Sequence, residues 1–302
     1  MKKPQISIIG LSGQSIFMSV DEFHKNGETL SCKELFIEPG GKGYNQAIAG
    51  SKLGAYISFL SAVGFDSYAK VCEDELIKNN IVTNLIYKKN ENTSLATILT
   101  NKHGDNQVTV YSGAKLEVND VIDFETEIIN SDILLLQNEV PHEVNLKAIE
   151  IANKYNIKVV LNPAPATSIP IDWIDKIWLL TPNELEAKTI FNLDQNARLD
   201  ELKENIKTSS LKRIIITLGK DGSLVYENGE FTHIEAINID SVDSTGAGDC
   251  FNSALVIKIA LNNSLVESAM FANVASGLSV NKKHVLDSLP TSEEVELYIK
   301  KI

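Results

Sequence analysis

Short, continuously apolar runs punctuate the chain: Ile6 to Ile9, Ile57 to Val63, Ile133 to Leu136, Val159 to Leu161, Ile177 to Leu180 and Ile214 to Thr217. Each is too short and too evenly apolar for a half-exposed strand, so each predicts a strand in a sheet covered on both faces. Between them the spacing turns helical, as in Asn45 to Leu53, Ser67 to Asn79 and His142 to Tyr155. Strands alternating with helices predict an α/β fold, a doubly wound and mainly parallel sheet with helices on both faces. Asn228-Gly229 between two strand-like runs marks a hairpin. After Asp249 two long helices are expected, Cys250 to Leu261 and Ser264 to Asn281.

Two stretches break the rhythm. Ser15 to Ile37 holds strand-like pieces around a Gly27-Glu28 turn, and Thr93 to Tyr111 reads strand, turn (His103 to Asn106), strand. These predict a small antiparallel sheet, from about 12–38 and 93–112, placed as a lid over a site. With no repeat, low-complexity tract or linker, residues 1–302 read as one domain with that lid.

Composition narrows the function. The net charge of −12 weighs against a nucleic-acid partner. No apolar run reaches the ~18 residues of a membrane span, and Met1-Lys2-Lys3 leads straight into a strand rather than a signal peptide. The three cysteines, Cys32, Cys72 and Cys250, form no CxxC pair, so a reducing cytoplasm fits better than a disulfide framework or zinc site.

Four stretches carry candidate chemistry. Asp243-Ser244-Thr245-Gly246-Ala247-Gly248-Asp249 runs straight into an apolar helix. Its small residues let the backbone approach a ligand, and the unpaired N–H groups of the helix start favour an anion. Asp249, with an ordinary carboxyl pKa of ~3.9, would be ionised and able to take a hydroxyl proton. A plain helix cap is the structural alternative. Gly40-Gly41-Lys42-Gly43-Tyr44-Asn45-Gln46-Ala47 is not a Walker phosphate loop, because Gly43 stands where Ser or Thr is needed. It presents Lys42 and Asn45, a mixed donor and acceptor set suited to a polyhydroxyl ligand. Asn183 and Glu186 lie on one helix face after a buried strand. They suit either Mg²⁺ held through water or a capping box. Thr217-Leu218-Gly219-Lys220-Asp221-Gly222 follows another strand, where α/β sheets bind nucleotides, and a bare turn is the alternative.

In order and spacing these stretches, from about Ile6 to Leu289, resemble the ribokinase-like (PfkB) family of carbohydrate and nucleoside kinases. Gly27-Glu28-Thr29 and Asn162-Pro163-Ala164-Pro165-Ala166 bring the resemblance closest to ribokinases. The resemblance implies an ATP-dependent kinase acting on a hydroxyl of a small sugar. Asp249 would be its base and Gly246, Ala247 and Gly248 its anion hole. It implies that Gly41, Lys42, Asn45 and Glu139 hold the sugar, and that Asn183 and Glu186 organise Mg²⁺. Thr217, Gly219 and Gly222 would line the nucleotide together with Asn183, and Asn273 would sit near the adenine. Many members pair their lids as homodimers.

Two departures stand out. Gly13 and Ser15 occupy the places of the ribokinase Asn-x-Asp pair that grips sugar hydroxyls. A lost hydroxyl acceptor changes discrimination strongly. This weighs against ribose and favours a sugar lacking one hydroxyl or carrying a larger substituent, with Gln14 as a source of replacement contacts. Near the C-terminus, Lys282 to Ser288 replaces an Arg-x-Gly-Ala-x-Pro-Ser run that helps bind potassium. Asp243 and Ser288 remain potential K⁺ ligands, while His284 reads as a surface histidine. A nucleoside kinase of the same family and a non-catalytic sugar- or nucleotide-binding regulator are the alternatives. A dinucleotide-dependent dehydrogenase is disfavoured, because Gly10-Leu11-Ser12-Gly13 lacks the G-x-G-x-x-G spacing.

Overall fold

The computed structural model describes residues 3–103, 105–167 and 169–301. Met1, Lys2 and Gly104, named above, lie outside them. The strands are β1 (Gln5–Ile9), β2 (Gly13–Ser19), β3 (Glu34–Gly40), β4 (Tyr56–Gly64), β5 (Val82–Lys88), β6 (Ser94–Thr100), β7 (Asn106–Tyr111), β8 (Ile133–Gln137), β9 (Lys158–Asn162), β10 (Leu179–Leu180), β11 (Arg213–Thr217), β12 (Ser223–Glu227) and β13 (Glu230–Ile234). The helices are α1 (Lys42–Lys52), α2 (Ser67–Lys78), α3 (Val118–Asp123), α4 (Glu125–Ile129), α5 (His142–Lys154), α6 (Ile171–Ile174), α7 (Glu184–Ile190), α8 (Leu199–Thr208), α9 (Ala247–Ala260), α10 (Leu265–Ser279) and α11 (Ser292–Ile299).

Nine strands form the main sheet in the order β13-β12-β11-β10-β9-β8-β1-β4-β5. It is parallel except for β12 and β13, an antiparallel hairpin turned by Asn228 and Gly229, both at positive φ. Both faces are buried, as the apolar runs predict. Along β8, Ile133 and Leu135 enter one core with α1, α9 and α10, while Leu134 and Leu136 enter the other with α5 and α8. Helices α9 and α10 are apolar on nearly every side because they are buried on nearly every side. Among the described residues no helix is long and apolar enough to cross a membrane.

The run expected at Ile177 to Leu180 pairs only through Leu179 and Leu180. The start of the run is taken up by the turn after α6, where the Ile177 N–H donates to the Trp173 carbonyl at 3.1 Å. The small second sheet has the order β3-β2-β6-β7. It is not wholly antiparallel as expected. Its central pair, β2 with β6, is parallel, because the two strands belong to segments that both leave the main sheet in the same direction.

The chain order reverses at β1: β4 and β5 lie on one side, β8 to β11 on the other. Ligands in such sheets bind in the crevice at that reversal, beyond the carboxyl ends of the strands. The segments leaving β1 and β8 carry Gly10-Leu11 and Asn138-Glu139 to this point.

Candidate active site

Helix α1 starts at the crevice. Its Gly43 packs on the backbone of Gly10, and a side-chain carbon at Gly43 would lie 2.6 Å from the Gly10 Cα. No larger residue fits, which explains a glycine where a phosphate loop has Ser or Thr. The close approach brings α1 against the end of β1. The Lys42 backbone N–H then donates to Glu139 Oε2 at 2.7 Å.

Helix α9 delivers the second half. Gly246 adopts a left-handed conformation (φ 79°) just before the first turn. Any side chain there would be strained, and its Cβ would meet Val285 Cγ1 at 2.5 Å. Asp249, in that first turn, is buried and accepts from Asn45 Nδ2 and from Gln46 Nε2, both at 3.0 Å. Burial pushes its carboxyl above the usual range, against the pull of Lys42 and the two amides. The unperturbed value expected from sequence is therefore corrected upward. Asn45 Oδ1 is buried and has no hydrogen-bond partner among the described residues. Beside a carboxylate, such an unmet acceptor suits a ligand hydroxyl.

Lys42 sits among three carboxylates. Burial alone would lower its pKa, but Asp249, Glu139 and Glu186 together raise it. Glu139 is pushed up to about 7 by burial, moderated by Lys42. Glu186 is raised by burial as well. Asn183 and Glu186 do form a reciprocal capping box at the start of α7, each bond 2.8 Å. The box uses Glu186 Oε2 and leaves Oε1 outside the cap. The structural and ligand-holding readings are therefore compatible.

Beyond the Gly246 loop lies a cavity of about 440 Å³ lined by Thr217, Gly219, Gly222, Asn273, Ala247 and Gly248. Asn183 bridges to Thr217 at its edge. Ala236, Ile237 and Phe251, not anticipated from sequence, complete an apolar wall. The Asn273 amide donates to the carbonyls of Ile234 and Glu235, at 3.1 and 3.2 Å, and so fixes that wall.

The small sheet meets this crevice with one face. Paired rows put Glu38 with Ser15, and Phe36 with Phe17. A carbon added at Gly40 would lie 2.6 Å from Ser15 Oγ and 4.0 Å from Asn45 Oδ1. Ser15 therefore faces the site. Gln14 shares the opposite face with Ile16 and Ile37, and its side chain is buried there. Strand alternation turns Gln14 to the face opposite Ser15, where its Oε1 has no hydrogen-bond partner among the described residues.

His284 is not a free surface histidine. It stacks on Phe36 with ring centroids 3.4 Å apart and meets Phe17 edge-on. Its backbone N–H donates to Asp243 Oδ2 at 3.3 Å, and Asp243 Oδ1 accepts from Thr245. Ser288 is buried and donates to the Val285 carbonyl. Glu38 accepts from the backbone of Val285 and Leu286, at 2.9 and 3.1 Å.

A family model described as "pfkB family carbohydrate kinase" matches residues 5–292. The chain belongs to that family. It is 34% identical to a ribokinase of Staphylococcus aureus, covering 96% of this chain and 98% of the relative. It is 29% identical to a deoxyribokinase of Salmonella typhi, covering 97% and 98%. Among solved structures, the ribokinase of Thermotoga maritima superposes with a TM-score of 0.88 at 32% identity, covering 98% of this chain and 99% of that one. The Arabidopsis thaliana ribokinase complexed with ribose and ATP gives 0.89 at 26% identity, covering 99% of each. In this PfkB chain Asp249 is held by the α1 amides, while its neighbours Ala247 and Gly248 line the largely apolar cavity.

Proposed function

We propose that this chain transfers the γ-phosphoryl group of ATP to a hydroxyl of a small sugar, with Asp249 as the general base. The observation that carries the reading is the Asp249 carboxylate, which lies between the unmet acceptor of Asn45 and the Gly246 to Gly248 loop. Asp249 takes the proton of the sugar hydroxyl. The oxygen attacks the γ-phosphorus, the bond to the β-phosphate oxygen breaks, and ADP leaves with that electron pair. The N–H groups that start α9 face the charge spread over the transferring group. Glu139, Lys42 and the Gly41 backbone orient the sugar, and the 440 Å³ cavity takes the nucleotide. Asn183 and Glu186 would hold Mg²⁺ through water, which supplies positive charge to the phosphates. Asp243 and Ser288 remain the residues toward which a K⁺ ion would be sought.

The small sheet acts as a lid. It exposes Leu35, Ile37 and Tyr111 on the face turned from the site, which favours pairing with a second copy. A molar-mass measurement in solution giving a monomer at every concentration would remove that pairing.

The substrate differs from ribose at the hydroxyls near Ser15. Gly13 and Ser15 supply no ionised acceptor, and Glu38, paired with Ser15, is taken up by the backbone N–H groups of Val285 and Leu286. A cavity of about 340 Å³, lined by Leu11, Ala62, Ala114, Lys115 and Val140, opens beside Glu139 and gives room for a substituent. The test is ATP consumption with Mg²⁺, with and without K⁺, over furanoses, ketoses, deoxy sugars and nucleosides. A deoxy or substituted sugar should exceed ribose in kcat/KM. Ribose as the best of the panel would defeat the substrate reading. A nucleoside as the best would replace the sugar reading with the nucleoside-kinase one.

A further inference from the structure

We infer that Gln46 is a positioning residue for Asp249, and that Gln137 locks it in the orientation that serves the base. The inference rests on Asp249 being that base.

The argument begins with two neighbours in α1. Asn45 and Gln46 are consecutive, so their side chains leave the helix about 100° apart. Both nevertheless reach Asp249. Asn45 Nδ2 holds Oδ2, and Gln46 Nε2 holds Oδ1. Each carboxylate oxygen therefore has its own donor, and the plane of the group is fixed.

A glutamine amide has two ends, and only its NH₂ end suits a carboxylate. The Gln46 amide cannot turn without losing two partners. Its Oε1 accepts from Gln137 Nε2 at 2.6 Å, and its Nε2 also donates to Asn162 Oδ1 at 3.2 Å. Asn162 is held in turn through its donation to the Thr181 carbonyl. Gln46 and Gln137 are both fully buried, so water offers neither a substitute. The Gln46 carbonyl also accepts from Ser253, one turn beyond Asp249 on α9. The backbone and the side chain of Gln46 thus both register α1 against the helix that carries the base.

Gln137 comes from the end of β8, at the reversal of the sheet. Its Oε1 lies where a Cβ on Gly10 would be, 2.4 Å away, and 2.8 Å from one on Gly43. Those two glycines leave the room in which Gln137 reaches Gln46. The glycine contact that docks α1 and the amide chain that steadies the base are therefore one construction. Gln137 reaches Asp249 through its Nε2 end alone, and its buried Oε1, pressed against Gly10 and Gly43, has no hydrogen-bond partner among the described residues.

The charged groups facing Asp249 are Lys42 from α1, Glu139 beyond β8 and Glu186 from α7. Gln46 adds a neutral donor to that set and favours the ionised carboxylate. Its loss should move the titration of Asp249 upward.

The experiment is the pH dependence of kcat/KM for the sugar, from pH 5 to 9, in wild type, Gln46→Leu, Gln46→Glu and Gln137→Leu. Gln46→Leu should shift the acid limb upward by about one pH unit, the worth of one hydrogen bond to a carboxylate. The KM for ATP should stay within about twofold. Gln137→Leu should shift the limb the same way by less. Gln46→Glu keeps the shape and the acceptor for Gln137, so it stands in if Gln46→Leu does not fold. It replaces the donor with an acceptor and should shift the limb furthest. Profiles that superimpose on wild type, whatever their height, would overturn the proposal. Asp249→Asn in the same series separates the premise: near-wild-type turnover there would remove the base itself rather than its support.

Discussion

The two sides of the crevice are built differently. On the α9 side, Asp249 is held by amides that are buried and cross-tied, and the Gly246 loop is fixed against Val285. On the side of the small sheet, the ties to the segment after α10 are Glu38 on two backbone N–H groups, His284 stacked on Phe36, and an exposed ion pair of Lys283 with Glu34. The first side carries the motif residues of the family intact. The second carries the departures, Gly13, Ser15 and His284. On the proposed function, the buried half carries the reaction and the side where the sheet meets the crevice carries the choice of substrate.

Substitutions on each side should therefore fail differently. Gly246→Val places a branched side chain at a left-handed position already touching Val285, and should lower kcat about 100-fold, as loss of an oxyanion donor does. A kcat within twofold of wild type would show that the loop can shift at little cost. Ser15→Asp restores an ionised acceptor beside Asn45 and should raise kcat/KM for ribose about tenfold or more, since a charge-assisted hydrogen bond is worth ~1.5–3 kcal/mol. No gain would mean that selectivity lies elsewhere.

Two smaller effects sharpen the same contrast. His284→Gly removes the stack on Phe36 and should raise the sugar KM about threefold to tenfold, with the KM for ATP unchanged, from an aromatic contact of ~0.5–1.5 kcal/mol. An equal rise in both constants would show that the histidine serves the nucleotide side as well. Glu139 ionises near pH 7, so its carboxylate becomes a full acceptor as pH rises through neutrality. Wild-type kcat/KM for the sugar should show a step across that range in addition to the limb set by Asp249, and Glu139→Gln should lose the step while keeping the Asp249 limb. An unaltered profile would detach Glu139 from sugar binding.

Much of this was legible in the sequence because the chemistry is local there. The loop from Asp243 to Asp249 and the run from Gly40 to Ala47 each hold their functional residues within one turn of backbone, and short apolar runs mark the parallel sheet. What stayed hidden depends on partners distant in the chain. Gln46 meets Asp249 across 203 positions and Gln137 across 91, and no spacing rule links them. His284 read as a surface residue because its partner Phe36 lies in the small sheet. Gln14 reads as standing in for its neighbours Gly13 and Ser15, and the two-residue alternation of the strand turns it to the opposite face. The parallel pairing of β2 with β6 joins segments separated by most of the first half of the sheet, and nothing in either strand signals its direction.

The most direct test of the account is the turnover of Asp249→Asn beside wild type, with ATP binding measured on the same preparations. The account predicts that kcat falls about 10²- to 10⁴-fold, the usual contribution of a general base, while ATP binds within about twofold of wild type. Turnover close to wild type, with ATP bound as before, would contradict Asp249 as the base.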